Sequence, residues 1–170
     1  MTTYNHIYTN VFRALKTRIE NAKTGKLKEL KELKIGRIQE TYHINEMPRI
    51  NMYFDGFSES YAAQKRNMKS ADLRIIFHLV YPLNNNKGID NIYYNDDDDL
   101  FTGFIPFVEA FLDVIHSDTS DAIDPRLDQS ARLAFNVESD RVGKSDNYID
   151  LPINISVRTK DFTINQRYTD

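Results

Sequence analysis

Asp55, Asp72 and Glu138, with Lys69 nearby, are the side chains that come nearest to a hydrolytic centre. A metal-dependent nuclease holds a divalent cation with two or three carboxylates and steadies the developing charge with a lysine, all converging at one sheet edge. Here no E-x-K follows an expected strand, and Lys69 falls just outside the central one. The chain has no Gly-rich phosphate loop, no H-E-x-x-H and no G-x-S-x-G. It has no cysteine, which excludes disulfides, thiolate metal sites and cysteine nucleophiles. The nuclease is therefore the weaker reading, and no catalytic, cofactor-binding or metal-binding residue is assigned.

Asp96, Asp97, Asp98 and Asp99 form a run of carboxylates, the donors that hard cations such as calcium prefer. A calcium loop spaces its ligands at alternate positions around a glycine, and this run does not. It reads instead as an acidic helix start, with Asp99 as the cap and its neighbours favouring the positive end of the helix dipole. His78 lies in the most apolar stretch of the chain, between Ile76 and Val80. In that setting it reads as a hydrogen-bonded core or interface histidine rather than a catalytic one.

That stretch, residues 71–81, organises the rest. Leu73, Ile75, Phe77 and Leu79 share one face by the two-residue period of a strand, while Ile76 and Val80 share the other. The pattern predicts a central strand. Upstream, Tyr4, Ile7, Tyr8, Val11, Phe12, Leu15 and Ile19 form the stripe of an amphipathic helix running to about Ala22, capped by Thr2 or Thr3. After Gly25, Leu27, Leu30 and Leu33 recur three apart among lysines, as in a short second helix or helical linker. A nucleic-acid-binding arm is the less favoured reading of those lysines. Ile38, Glu40, Tyr42 and Ile44 alternate weakly, as an edge strand would. Pro48 then precedes a strand with Ile50, Met52 and Phe54 on one face and Asn51 and Tyr53 opposite, and Asp55-Gly56 signals a turn or bulge. Residues 58–69 have no clean period and are expected to form an extended or flexible hairpin arm.

Downstream, residues 82–99, rich in asparagine and aspartate, and residues 117–130 are expected surface loops. Between them lies an aromatic amphipathic helix, 100–116. Pro106 within it removes a donor, so either the first turn is separate or the helix kinks. Leu133, Phe135 and Val137, then Ile149, Leu151, Ile153, Ile155 and Val157, alternate as two closing strands. Pro152 marks the second as an edge strand or one bulged there. The tail, 160–170, is expected to be partly mobile.

The length of 170 residues, with 41% hydrophobic and 28% charged, fits one soluble domain with one core. No signal peptide opens the chain, and no apolar run approaches the ~20 residues of a membrane helix, so an intracellular protein without membrane contact is expected. The net charge of −3 hides a lopsided distribution. Residues 13–37 hold nine basic and three acidic side chains, whereas residues 90–128 hold eleven acidic and one basic. Such a dipole suits directional contact with another protein, two solvated faces of a monomer being the plain alternative.

The element order, helix, strands, central strand, long loop, helix, strand, strand, gives an α+β two-layer sandwich. Its sheet is mixed or antiparallel, of about four to five strands, with helices mainly on one face. In the amphipathic helix 4–22, the MPRINMYFDG and ADLRIIFHLVYP strands, the helix 100–116 and the closing hairpin 131–158, the chain resembles the tail terminator and tail-completion (neck) proteins of long-tailed bacteriophages. The resemblance implies a virion structural protein, assembled in the host cytoplasm, that forms a hexameric ring on the last ring of tail tube protein. Such a ring stops tube polymerisation and offers a face to the head–tail connector or neck protein. Genome DNA passes through its lumen without sequence-specific binding. Another head–tail connector is the nearest alternative. A cyclic ring needs two different surfaces on each subunit. The charge asymmetry proposes Lys26, Lys28, Lys31 and Lys34 as one side of that contact and Asp96, Asp97, Asp98 and Asp99 as the other, with apolar help from Tyr93, Tyr94 or the 58–69 arm.

Overall fold

A computed structural model describes residues 7–37, 42–61, 68–83, 103–116, 134–138, 141–142, 148–159 and 162–163. They form an α+β sandwich of one mixed sheet and one helical layer. Helix α1 spans Ile7–Ala22 and strand β1 Glu32–Ile35, and a 3-10 turn at Ile44–Glu46 leads into β2, Arg49–Tyr61. Then come β3, Met68–Pro82, helix α2, Phe104–His116, and the short β4, Ala134–Val137, and β5, Arg141–Val142. Strand β6, Tyr148–Arg158, and the two-residue β7, Phe162–Thr163, close the chain. The sheet order is β1-β2-β3-β6-β4, with β5 beside β6 and β7 beside β3. Only β1 on β2 is parallel; the other pairings are antiparallel.

Strand β3 is central, as its two-sided apolar pattern requires, with β2 on one flank and β6 on the other. Leu73, Ile75, Phe77 and Leu79 are fully buried under the helices, against Val11, Leu15 and Ile19 of α1 and Phe107, Phe111 and Ile115 of α2. Each such side chain contributes about 1.5–3 kcal/mol by leaving water. Phe77 and Phe111 meet across the two layers with ring centroids 5.1 Å apart. The helices are joined directly where Arg18 Nη1 donates to the Ile115 carbonyl at 3.1 Å.

Local expectations change at three places. The lysine-rich stretch 26–34 is not a helix. Turns run from residue 23 to 29, and Lys31 N donates to the Pro48 carbonyl at 2.9 Å, starting the β1–β2 ladder. Leucines three apart suit a tight turn as well as a helix, and burial of Leu27 and Leu30 in the core satisfies them. An edge strand therefore lies at 32–35, within the stretch expected to be helical. Residues 38–41 lie outside the described residues, Tyr42 is buried without regular structure, and Ile44 is exposed in the 3-10 turn.

Pro106 does not kink its helix. Described helix begins at Phe104, so the proline sits in the first turn, where its N–H would have no intrahelical partner. The Asp99 cap lies outside the described residues. Pro152 does not make β6 an edge, because β3 and β4 flank it. Glu138 N donates to the Pro152 carbonyl, which places the missing Pro152 donor on the β4–β5 side. There the register slips by one residue between the Val137↔Ile153 and Arg141↔Asp150 pairs, so the proline sits at the break. The 58–69 segment is the expected extended arm at its base, where the β2–β3 ladder continues to Tyr61↔Lys69, and residues 62–67 lie outside the described residues.

Candidate functional site

The sheet face away from the helices combines polar side chains with a small buried apolar cluster of Tyr42, Met47, Val80 and Tyr148. Side-chain alternation puts Glu32 and Lys34 of β1, Arg49, Asn51 and Tyr53 of β2, and Ile76, His78 and Val80 of β3 on this face, beside Asp150 and Asn154 of β6. Arg49 is fully buried. Its Nη1 donates to Glu46 Oε2 at 2.7 Å and lies 3.2 Å from Glu32 Oε2, its Nε donates to Asn51 Oδ1 at 3.0 Å, and its guanidinium stands 4.6 Å from the centre of the Tyr42 ring. Asn51 in turn donates to the Tyr42 hydroxyl at 2.6 Å. One cation thus joins the 3-10 turn, β1 and β2. Its Nη2 is buried without a hydrogen-bond partner.

His78 is buried as well, with Nδ1 at 2.8 and 3.1 Å from the two Asp150 oxygens. A carboxylate only accepts, so Nδ1 carries the proton. Tyr53 stacks on the imidazole, with ring centres 5.8 Å apart. Burial, then the charge of Asp55, pushes the Tyr53 phenol above its usual range. This is the hydrogen-bonded histidine expected from the sequence. What its carboxylate partner would be was not legible there, since Asp150 is 72 positions away.

The second feature is the β2–β3 arm. Phe54 pairs with Ile75 and Gly56 with Arg74, leaving Asp55 as a bulge, and Gly56 takes φ +125°, a conformation open to glycine. Residues 54 and 57 are three apart and would face opposite ways on a regular strand. The bulge turns both to the helix side. Phe54 (41% exposed), Phe57 (44%) and Tyr61 (67%) form an aromatic stripe along the arm. Tyr8 of α1 touches it, ring to ring with Phe57 at 4.6 Å, and donates to Glu59 at 2.6 Å. Lys69 pairs with Glu59 at 3.2 Å and lies 5.1 Å from the Tyr61 ring centre.

Of the residues expected at a subunit contact, Tyr93, Tyr94 and Asp96, Asp97, Asp98 and Asp99 lie outside the described residues. The four lysines are exposed but do not form one patch. Lys26 and Lys28 line a groove of about 470 Å³ against α2, floored by Pro106, Phe107 and Ala110. Lys26 is paired with Asp113 of the same chain. Lys34 stands on the polar face of β1, on the other side of the sheet. One contact between the basic and acidic segments is thus intramolecular.

The carboxylates considered for hydrolysis are dispersed. Asp55 faces Arg74 at 3.9 Å, Asp72 lies opposite Ser58 and Arg158 on the ladder, and Glu138 accepts from Asn154 at 3.2 Å. Strand β1 does carry an E-x-K, Glu32-Leu33-Lys34, which the helical expectation for that stretch concealed; its Glu32 is engaged by Arg49. Among the described residues no three His, Asp or Glu side chains are placed to hold a metal ion. No described helix is long and apolar enough to cross a membrane. Compared with known proteins, the chain matches no family model and no curated protein.

Proposed function

We propose that this chain is a virion structural protein of a long-tailed bacteriophage. It forms a ring, hexameric in this reading, at the capsid-proximal end of the tail tube. There it stops tube growth and presents a face to the head–tail connector, and genome DNA passes through without sequence-specific contact. The element order supports this reading. So, most directly, does the arm: a paired hairpin whose aromatic side chains are half exposed at one end of the helical layer. Aromatic residues concentrate where protein surfaces meet, because they remove much apolar area for little lost side-chain freedom.

Electron microscopy of particles assembled without the protein tests the reading. Overlong tails, or tails not joined to capsids, are expected. Normal infectious particles in its absence would refute it.

A further inference from the structure

The β2–β3 ladder runs on past the rest of the sheet. Strand β1 ends at Ile35↔Met52, with Gly36 N donating to the Met52 carbonyl at 3.0 Å. Among the described residues, no strand pairs with the outer edge of β2 beyond that point. Strand β3 is better braced. Strand β6 follows it to Asp72↔Arg158, Thr159 exchanges two hydrogen bonds with Ala71 at 2.8 and 2.9 Å, and β7 pairs with Met68 and Lys69. Residues 57–61 of β2 therefore form an edge segment, joined to the sheet by one ladder. A two-stranded ribbon is marginal in water unless it packs on something else.

Tyr8 of α1 supplies such packing twice. Its ring centre lies 4.6 Å from that of Phe57, and its hydroxyl donates to Glu59 Oε1 at 2.6 Å. Lys69 donates to the other Glu59 oxygen at 3.2 Å, so one carboxylate ties α1, β2 and β3 together. The segment meets the rest of β2 at the bulge, where Asp55 has no partner on β3 and Gly56 takes φ +125°. The ladder is already interrupted there, so the strand can bend at that point with few hydrogen bonds lost. Asp55 and Arg74, 3.9 Å apart and both exposed, add little across the break.

The geometry points to a hinged strap. Residues 57–61 open away from β3 as a unit, pivoting at Asp55-Gly56, and Tyr8 is the latch that holds them to the helical layer. Opening frees the Phe57 ring and the Glu59 carboxylate for another surface, while the ladder from Arg49 to Phe54 stays closed. The strap does not depend on what the chain assembles with.

Hydrogen exchange of the full-length protein tests it by comparing the ladder amides of residues 57–61 with those of 73–80. In the wild type the first set should exchange at least tenfold faster. Tyr8→Phe keeps the ring and removes the hydroxyl. It should speed exchange at 57–61 by roughly tenfold, as the loss of one hydrogen bond to a carboxylate would, and Tyr8→Ala by more. Either should change 73–80 much less. Deleting Asp55 keeps every ladder pair in register and closes the break, so exchange at 57–61 should slow toward that of 73–80. Equal exchange of the two sets in the wild type would overturn the strap. So would a Tyr8→Ala protein in which 57–61 is unchanged or both sets speed by the same factor. A folded Asp55 deletion with unchanged exchange at 57–61 would overturn the pivot, and if that deletion fails to fold, the two Tyr8 variants decide.

Discussion

Removing Glu46 and Glu32 together should cost more stability than the two single changes added. Arg49 is fully buried, yet both carboxylates that face it are about 40% exposed. Replacing either by glutamine or alanine removes a side chain that is partly solvated, although Glu32 Oε2 at the contact is itself buried, and leaves the guanidinium one anionic partner. Each single change is therefore comparable to losing a surface pair, about 0–1 kcal/mol. In the double variant, the buried cation has only Asn51 and the Tyr42 ring to offset its lost hydration. Leaving a buried charge without its ionic partner typically costs about 3–5 kcal/mol. Set against singles that sum to about 0–2 kcal/mol, the excess over additivity is about 1–5 kcal/mol, overlapping the range seen when two groups share a partner. Urea unfolding of the four proteins followed by circular dichroism measures it as a shift in midpoint at unchanged slope. Arg49→Met supplies the control. With the cation gone, the two glutamates can hydrate, so the further loss of either should be nearly silent. A double variant whose cost equals the sum of the singles would show that Arg49 does not depend on this pair, and that its burial is supported by packing and cation–π contact alone.

Two further predictions concern the core and its rim. Phe77→Ala and Phe111→Ala should each cost about 3–5 kcal/mol, since both rings are fully buried against one another; midpoints equal to wild type would contradict the sheet–helix interface described. Tyr81 donates to Glu29 at 2.9 Å, and burial, followed by the charge of Glu29, holds its phenol well above the usual value near 10. Because the folded state keeps this proton more tightly than the unfolded chain, the associated stability is present below about pH 10 and lost as pH rises beyond it. Tyr81→Phe should flatten that alkaline loss, and an identical pH profile in the two proteins would discount the group.

The parts of the fold that could be read from sequence are those decided by local pattern. The alternation through Leu73, Ile75, Phe77 and Leu79 fixes which face of β3 meets the helices, and the three-and-four spacing of Val11, Leu15 and Ile19 fixes which side of α1 answers it. The residues that mislead are those whose pattern fits two local structures and whose outcome is set by a distant partner. Leu27, Leu30 and Leu33 satisfy a helical period, but Lys31 N is claimed by the Pro48 carbonyl, and a parallel ladder on β2 takes the segment instead. The same limit hides the polar face. No local pattern around Arg49 or Asp150 names the partner of either. Only the sheet order brings Glu32 to the arginine and Asp150 to His78.

The arm is an intermediate case, and it bears most on function. Asp55-Gly56 was legible as a bulge or turn, and residues 58–69 as an arm. What a period of two could not supply was the shared face of Phe54 and Phe57, which depends on the extra residue between them. Once that residue is placed, these aromatics and Tyr61 lie on one face of the arm, largely exposed. The bulge at this point costs the ladder one regular pairing and brings Phe57 against Tyr8 of α1. It does re-aim side chains, which is how bulges near functional surfaces act. The shared, outward face of Phe54 and Phe57 is thus a consequence of the bulge rather than of strand alternation.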